Sequence, residues 1–251
     1  MKARRRVIGL HAAEAALEHG ADKILAVWID SQRNDVRLMA LVDRLSALGL
    51  KSQPTQRLRL EQMAEGTPHQ GVILEVLVAD EWGENELRDA LESPKGMPFF
   101  LVLDHVQDPH NFGACLRTAD AAGVHGVIVT KDQSVGITPV VAKVASGAAE
   151  TMPVYRVTNL ARTLKFLKGA GLWVFGAAGE AHKTAYDIDF NVPMALVMGA
   201  EGKGLRRLTR EHCDGLIKLP MLGTVESLNV SVAAGILMYE VVRQRVVASG
   251  S

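Results

Sequence analysis

The sequence has few features of a secreted, membrane-bound or metal-binding protein. Only two cysteines occur among 251 residues, and the eight histidines show none of the spacings that zinc sites use. No apolar run approaches the length of a membrane span. The segment after the basic start is interrupted by His11, Glu14 and Glu18, which argues against a signal peptide. These absences predict a protein of the reducing cytoplasm that needs no metal.

An excess of charge of either sign is also absent. The chain has 28 basic and 28 acidic residues, so no global field favours a nucleic-acid partner. The sharpest basic cluster is Lys2 with Arg4 to Arg6, which we interpret as a frayed, solvated terminus. Residues 79–95 are acidic, with two basic against six acidic side chains.

Apolar periodicity separates the chain into two parts. Residues 1–78 predict a compact αβ unit with helices over 10–19, 35–48 and 58–64 and strands over 23–30 and 71–78. One face of the second helix is apolar: Leu38, Leu41, Val42, Leu45 and Leu48. Residues 79–98 are polar and broken by prolines, which favours a linker. The alternative is an exposed acidic helix inside one domain.

From residue 99 onward, continuous apolar runs alternate with helical segments. The runs predict strands over 99–104, 126–130, 172–177, 195–199 and 216–220. Helices are predicted over 111–122, 138–147, 158–169 and 205–213. This pattern is typical of an α/β fold with a parallel sheet and crossover helices. Ligands of such sheets bind beyond the carboxyl ends of the strands, where polar loops follow Asp104, Gly199 and Pro220.

Two of these loops offer candidate residues without defining a reaction. In DPHNFGACLRTAD, Asn111 can cap a helix, and Arg117 lies among small residues that allow close approach, although a solvated surface charge is the alternative. In GAEGKGLRR, three glycines permit positive φ and close approach of a ligand, but neither a dinucleotide nor a P-loop motif is present. Glu201 is the only acid of that loop, and a structural role is the alternative.

The third loop lies in residues 215–245, which predict a strand, a tight loop and a long helix. Ser227 or Asn229 would cap that helix, leaving free backbone N–H groups that suit a polar or anionic ligand. By physical reasoning alone, a capped helix packed on a sheet is the commoner outcome. Ser227 lacks the G-x-S-x-G context of a hydrolase.

At these loops the sequence resembles the SPOUT-class RNA ribose methyltransferases of the TrmH family. The residues that match its three motifs, in order, are Asn111, Gly113 and Arg117, then Gly199 and Glu201 in MGAEGKGL, then Ser227, Leu228 and Asn229 in LPMLGTVESLNVSVAAG. In addition, IGLHAAEAAL and HQGVILEV resemble the ribosomal-protein-like RNA-binding domain that precedes the catalytic domain in one branch.

The resemblance implies a fold and a site. Residues 1–78 would bind RNA, 79–98 would link, and 99–251 would form a SPOUT domain whose chain passes through a loop as a deep trefoil knot. The loops around 199–202, 219–222 and 227–229 would hold S-adenosylmethionine. The implied cofactor-binding residues are Gly199, Gly202, Leu219, Met221 and Leu228. The family acts as a homodimer with the last helix, 229–245, in the interface.

The implied reaction is 2′-O-methylation of a guanosine ribose in 23S rRNA, in the peptidyl-transferase region, on naked rRNA or a ribosomal precursor. The implied catalytic residues are Asn111, Arg117, Glu201, Ser227 and Asn229. Because arginine is practically never deprotonated, we favour Arg117 as a cation that stabilises the developing 2′-oxyanion. Candidate RNA-contacting residues are Arg4, Arg5, Arg6, Arg57 and Arg59.

Three other functions are compatible with parts of the pattern. A tRNA ribose methyltransferase would share the chemistry, but the separate N-terminal domain argues against it. A non-catalytic RNA-binding or ribosome-assembly protein would share the fold, but Arg117, Glu201 and Asn229 are intact. A nucleotide-binding oxidoreductase would need the missing glycine fingerprint.

Overall fold

The computed structural model describes residues 4–77, 82–94 and 96–250. Within these ranges the chain forms two compact units. The first lies within Met1–Asp80 and Gly136–Thr151, and the second within Glu81–Val135 and Met152–Ser251. Each unit has its own sheet and its own buried apolar cluster.

The first unit alternates strands with helices. Its first elements are β1 (Arg4–Ile8), α1 (Leu10–Gly20), β2 (Ile24–Asp30), α2 (Val36–Ala47), β3 (Ser52–Thr55), α3 (Arg57–Ala64) and β4 (Val72–Leu77). The sheet order is β1-β4-β2-β3, with β4 antiparallel to β1 and β2, and β2 parallel to β3. The predicted helices and strands are confirmed with ends displaced by one residue; position 78 lies outside the described residues.

The amphipathic helix α2 shows why these elements form. Asp35 caps it, because its carboxylate accepts a hydrogen bond from the Leu38 amide at 3.2 Å. Leu38, Leu41 and Leu45 are almost completely buried in the core of the unit. Leu48, expected on the same face, is 57% exposed because the helix ends before it.

The basic N-terminal segment is a strand, and its interpretation as a frayed terminus is wrong for residues 4–6. Arg4, Arg5 and Arg6 lie in β1, where ladder pairing with β4 fixes their backbone. Arg5 forms an ion pair with Glu150, and their side chains are 19% and 7% exposed. Arg5 is therefore a structural residue rather than a free RNA contact. Lys2 lies outside the described residues.

The rest of the chain supplies the second sheet and most of the helices. Its elements are α4 (Glu84–Glu92), β5 (Phe99–Asp104), α5 (Pro109–Ala121), β6 (Gly126–Thr130), α6 (Pro139–Ala145), α7 (Ala148–Thr151), β7 (Val154–Val157), α8 (Leu160–Gly169), β8 (Trp173–Ala177), β9 (Lys183–Thr184), β10 (Met194–Gly199), α9 (Arg207–His212), β11 (Gly215–Lys218) and α10 (Val230–Ser249). The helix predicted over 138–147 is observed as α6, which belongs with α7 to the first unit instead of crossing over the second sheet.

The second sheet has seven parallel strands in the order β7-β6-β5-β10-β8-β11-β9. The five predicted strands are confirmed, and every residue of β5 and β6 is buried, as expected for strands covered on both faces. The sheet also contains β7 and β9, which the sequence did not predict. These strands are four and two residues long, too short for an apolar pattern to stand out.

Part of the predicted linker is a packed helix. Leu87 of α4 is 1% exposed and joins the core of the second unit. Glu84 accepts hydrogen bonds from the Thr158 hydroxyl at 2.8 Å and from Arg162 at 2.8 Å and 2.9 Å. The alternative of an acidic helix inside a domain therefore describes residues 84–92 better. Residues 79–81 and 95 of the predicted linker lie outside the described residues.

Among the helices of the described ranges, none has the length and apolar character needed to cross a membrane. The same ranges contain no cluster of three or more histidine, cysteine, aspartate or glutamate side chains that could hold a metal ion.

Candidate active site

The candidate site begins where β5 and β10 end side by side. The two strands are parallel neighbours, and their register pairs Asp104 with Gly199. The first and second polar loops therefore leave the sheet from adjacent positions. This is the carboxyl edge at which parallel sheets bind ligands.

The first loop leads directly into α5. Asp108 caps the helix, because its Oδ1 accepts from the amides of His110 at 2.7 Å and Asn111 at 2.9 Å. Pro109 follows at the first helical position, where its missing N–H costs nothing. These constraints place Asn111 in the first turn, where it is 9% exposed.

The second loop folds tightly back onto the end of β10. The amide of Gly204 donates to the carbonyl of Ala200 at 2.9 Å, and Gly202 and Gly204 have positive φ values of 71° and 61°. A Cβ added to Gly199 would lie 2.1 Å from the carbonyl carbon of Gly204. Only glycine therefore fits at position 199, and the loop is held by backbone contact instead of side-chain packing.

Asp104 ties the second loop to the sheet. Its carboxylate is 1% exposed and accepts from Arg206 Nε at 3.0 Å, from the Arg206 amide at 3.2 Å and from the Thr209 hydroxyl at 2.7 Å. His105 Nδ1 also lies 2.7 Å from Asp104 Oδ1. Sequence reasoning used Asp104 only as a strand end. An acid that terminates a fully apolar strand was the available signal, since a buried carboxylate needs partners.

The third loop ends at Asn229, which settles the choice of helix cap. The Asn229 Oδ1 accepts from the Ser231 amide at 2.9 Å and from the Ser231 hydroxyl at 2.6 Å. Asn229 is therefore the cap of α10, and Ser227 is not. The helix starts one residue later than expected and continues four residues further, to Ser249.

The amide end of the same Asn229 side chain joins all three loops. Its Nδ2 donates to Asn111 Oδ1 at 2.8 Å and to Glu201 Oε1 at 2.7 Å. Because Oδ1 accepts hydrogen bonds at the helix cap and Nδ2 donates to the other two loops, the orientation of the Asn229 amide is unambiguous. The structure thus brings together Asn111, Glu201 and Asn229, one predicted site residue from each loop.

Two predicted catalytic residues make no such contact. Arg117 is exposed on α5, six residues after Asn111 and therefore about 9 Å further along the helix axis. Neither the Arg117 side chain nor the Ser227 side chain forms a hydrogen bond or an ion pair in the part of the chain that the structure describes. The Arg117 guanidinium consequently keeps all its donors available for a ligand.

Three of the predicted cofactor residues lie in an open stretch of backbone. Leu219, Met221 and Leu228 lie between β11 and α10, in residues 219–228. No hydrogen bond from the backbone amides of this stretch is found within the described ranges. Three of its apolar side chains are also exposed: Leu222 at 96%, Val225 at 61% and Leu228 at 37%. A ligand with polar groups and an apolar face would satisfy both features.

Neither cysteine is suited to nucleophilic chemistry. Burial raises the pKa of the Cys115 thiol to about 12. Burial, followed by the nearby charge of Asp214, raises the pKa of the Cys213 thiol to about 12. Because the thiolate is the nucleophile, both groups are inert near neutral pH.

Comparison with known proteins places these loops in a family. Residues 98–239 match the model of the SpoU rRNA methylase family, and residues 6–78 match the model for RNA 2′-O ribose methyltransferase substrate binding. The first of these segments contains all of the predicted site residues.

Curated relatives match nearly end to end. The chain is 52% identical to the 23S rRNA (guanosine-2′-O-)-methyltransferase RlmB of Shewanella oneidensis, over 98% of this chain and 99% of that protein. It is 53% identical to the enzyme of the same name from Pseudomonas aeruginosa, over 96% of each chain.

A solved structure matches the fold. The SpoU methyltransferase AviRb of Streptomyces viridochromogenes, crystallised with the cofactor AdoMet, superposes with a TM-score of 0.81 at 25% identity. The match covers 97% of this chain and 91% of that chain. With a family model spanning more than half of its residues and relatives above 50% identity along its length, the chain belongs to the SpoU rRNA methylase family.

Proposed function

We infer that the protein transfers a methyl group from S-adenosylmethionine to the ribose 2′-oxygen of a guanosine in 23S rRNA. The observation on which this rests is the Asn229 side chain, which joins Asn111 and Glu201 and so assembles the three family loops at one edge of the sheet. Identity above 50% over the full length of rRNA-specific relatives supports the substrate. We further propose a guanosine of the peptidyl-transferase region, and the cytoplasm, where rRNA is made, as the location.

The residues after β11 fit the cofactor. Unpaired backbone amides in 219–228 can bind its polar groups, and the exposed Leu222 and Leu228 can cover its apolar parts. We propose that backbone groups of Gly199, Leu219 and Leu228 hold it, with Met221 and Gly202 at the margin. S-adenosylmethionine supplies an electrophilic methyl group on a sulfonium centre.

The chain contributes positioning and charge. We propose that Arg117 places its guanidinium beside the developing 2′-oxyanion and the adjacent phosphate, since its donors are uncommitted and its charge is permanent. Asn111, Glu201 and Asn229 would orient the nucleotide, and Ser227 would donate or accept a hydrogen bond at the ribose. Holding the 2′-oxygen in line with the methyl group would supply much of the rate.

We propose that residues 1–78 bind the RNA and that 99–251 form the catalytic domain. We also propose a deep trefoil knot in the second unit, as the family resemblance implies; the contacts of the last two loops with the first loop are compatible with it. Tracing residues 194–230 in an experimental density map would test the knot, and a chain that nowhere passes through a loop would exclude it.

We propose that the protein is a homodimer with α10 in the interface. Val232, Ile236 and Tyr239 lie on one stripe of α10 and are 50%, 38% and 49% exposed. Ile236→Glu should therefore yield monomers in sedimentation, while Val36→Glu on α2, where Val36 is 88% exposed, should not. A dimer unaffected by Ile236→Glu would remove α10 from the interface.

The enzymatic function is tested with labelled S-adenosylmethionine, bulk rRNA and bulk tRNA. Label should appear in 23S rRNA on a guanosine ribose; label in tRNA alone would overturn the substrate. Arg117→Lys should lower kcat about 100-fold with RNA affinity unchanged, because lysine cannot reproduce the planar donor geometry. Arg207→Lys is the matched control, since Arg207 is exposed and, among the described residues, pairs with Glu211 alone. Near-normal turnover by Arg117→Lys would refute the proposed role.

A further inference from the structure

A cavity of about 560 Å³ lies in the first unit, and all of its lining residues belong to that unit. It lies between the end of β2, the start of α3 and the loop before β4. Titratable groups line it: Asp30, Arg33, Arg57, Glu61 and His69. Its size is in the range of small-molecule sites and exceeds what a single ion requires.

Two buried polar side chains form the floor of the cavity. Asp30 is 7% exposed and His69 is 8% exposed. Asp30 Oδ1 accepts from the Gln32 amide at 3.0 Å, whereas its Oδ2 makes no hydrogen bond within the described ranges. An uncommitted oxygen on a largely buried carboxylate is a strong acceptor for a ligand.

The hydrogen bonding of His69 determines which ring nitrogen carries the proton. Its Nδ1 accepts from the Gly71 amide at 3.1 Å, so the ring proton of the neutral form is on Nε2. Burial lowers the pKa of His69, partly offset by the nearby negative charge of Asp30, so the ring is neutral at pH 7. Nε2–H has no acceptor in the described part of the chain, and His69 lines the same cavity as Asp30, whose negative charge acts on the ring.

The rim carries two arginines, each paired with a carboxylate. Arg33 uses Nε to pair with Asp35, and Arg57 uses Nε to pair with Glu61 at 3.1 Å. The Arg57 pair is exposed and therefore weak, and the Arg33 pair is partly buried. Each pair uses Nε among the described residues, so the terminal nitrogens of both guanidiniums remain available. A phosphate would bind here more readily than at the floor, where Asp30 would repel it.

We propose that this cavity binds one unstacked guanosine nucleotide of the RNA, with the base on Asp30 and His69 and the phosphate on Arg33 and Arg57. The Watson–Crick edge of guanine presents two donors, N1–H and the N2 amine, beside the acceptor O6. A carboxylate beside a single N–H donor is its complement. Adenine would turn the acceptor N1 toward the carboxylate, and a pyrimidine would leave much of the volume unfilled. RNA-binding proteins commonly read such splayed bases.

The proposal rests on the inferred rRNA substrate, and it assigns the first unit a base-reading role of its own. It differs from general backbone attraction, which the neutral net charge makes weak. The nucleotide bound here is separate from the nucleotide that is methylated. The first unit would therefore select RNA by sequence at a second position.

The test uses the full-length protein and the variant Asp30→Asn, which retains the oxygen that accepts from the Gln32 amide. Binding of 5′-GMP and 5′-AMP is followed through the ¹⁵N signals of the His69 ring and the Gly71 amide. We expect 5′-GMP to shift both signals and 5′-AMP to bind at least tenfold more weakly. The Asp30→Asn substitution should lower the affinity for 5′-GMP about tenfold. Glu18→Gln, which removes an exposed pair with Arg44, should leave binding unchanged.

A second measurement tests whether the ligand of the cavity is a nucleotide within RNA or a free nucleotide. With 23S rRNA, Asp30→Asn should raise KM about tenfold while kcat at saturating RNA and the affinity for S-adenosylmethionine stay constant. Equal binding of 5′-GMP and 5′-AMP would overturn the guanosine assignment. Loss of 5′-GMP binding with an unchanged KM for rRNA would overturn the RNA assignment. Absence of methylation by the unaltered protein would instead refute the inferred function.

Discussion

The side-chain amide of Asn229 donates a hydrogen bond to Asn111 Oδ1 at 2.8 Å, which joins the start of α10 to the first turn of α5 across 118 positions of the chain. The same nitrogen lies 2.7 Å from Glu201 Oε1. Because Asn229 also caps α10, one side chain both starts the helix and positions two groups of the candidate site.

Separating these two roles of Asn229 is possible by substitution. Asn229→Ser retains a good cap but has no amide to donate, so the helix should stay intact while methyl transfer falls about 100-fold. Circular dichroism and single-turnover methyl transfer measure the two effects. Asn229→Ala should show the same kinetic loss together with about 1 kcal/mol of lost stability from the missing cap. Full activity of Asn229→Ser would show that the bridge is dispensable.

The backbone contact at Gly199 makes a steric prediction. Gly199→Ala should displace the second loop, since its Cβ would lie 2.1 Å from Gly204, and affinity for S-adenosylmethionine should fall at least tenfold by calorimetry. Gly179→Ala is the control, because a Cβ there has no atom within 4 Å. Wild-type affinity in Gly199→Ala would mean that the loop does not shape the cofactor site.

Asp104 should matter for stability as well as for the site. Asp104→Asn weakens the interactions with Arg206 and Thr209 inside a buried environment, at a cost of about 2–4 kcal/mol in unfolding free energy. Denaturant unfolding measures it. Thr209→Val, which removes only one neutral hydroxyl, should cost about 1 kcal/mol. Equal losses in the two variants would argue against a dominant role of the charge.

The helix α4 predicts a pH dependence. Hydrogen bonds from Thr158, and then from Arg162, hold the pKa of Glu84 below its usual value of 4.5. A lowered pKa in the folded state means that the stabilisation is complete above pH 4.5 and is lost as the pH falls through the folded pKa. Glu84→Gln should therefore cost about 1 kcal/mol at pH 7 and progressively less in acid.

The comparison of Glu84→Gln with wild type needs only urea unfolding at several pH values. Glu92→Gln, at the exposed end of the same helix, is the control and should change stability little at any pH. A difference between wild type and Glu84→Gln that persists undiminished at pH 3 would contradict the charge-based explanation.

The thiols of the two cysteines should be almost unreactive in the native protein. With pKa values of about 12, about one thiol in ten thousand is ionised at pH 8, so Ellman's reagent should react very slowly. Both cysteines should react within minutes in guanidinium chloride. Rapid reaction of either thiol in the folded state would show that its burial is transient.

Much of the second unit follows from local sequence. The runs at 99–104 and 126–130 predicted their strands to the residue, because a parallel strand covered on both faces must be apolar throughout. The capping preference of serine and asparagine likewise limited the cap of α10 to two candidates, Ser227 and Asn229. The family motifs then named residues whose roles the loops alone left open.

Other features depended on contacts distant in sequence. The segment at residues 4–6 looked like a solvated basic terminus, yet it pairs with β4, since ladder hydrogen bonds outweigh the charge of its side chains. The polar sequence of residues 84–92 predicted a linker. In the structure these residues form a helix, because Leu87 is buried in the core of the second unit. The short strands β7 and β9 exist only because longer neighbours offer free edges.

By itself, therefore, the sequence determined the long strands and helices, since periodicity reports the burial of each local face. It also determined which residue types stand at the loop positions. The tertiary structure alone decided that Asn229 meets Asn111 and Glu201, and that Asp104 meets Arg206 and Thr209. The physical reason is that the order of the strands in the sheet decides which loops lie side by side. Residues far apart in the chain come into contact in this way, and their spacing in the sequence does not predict the contact.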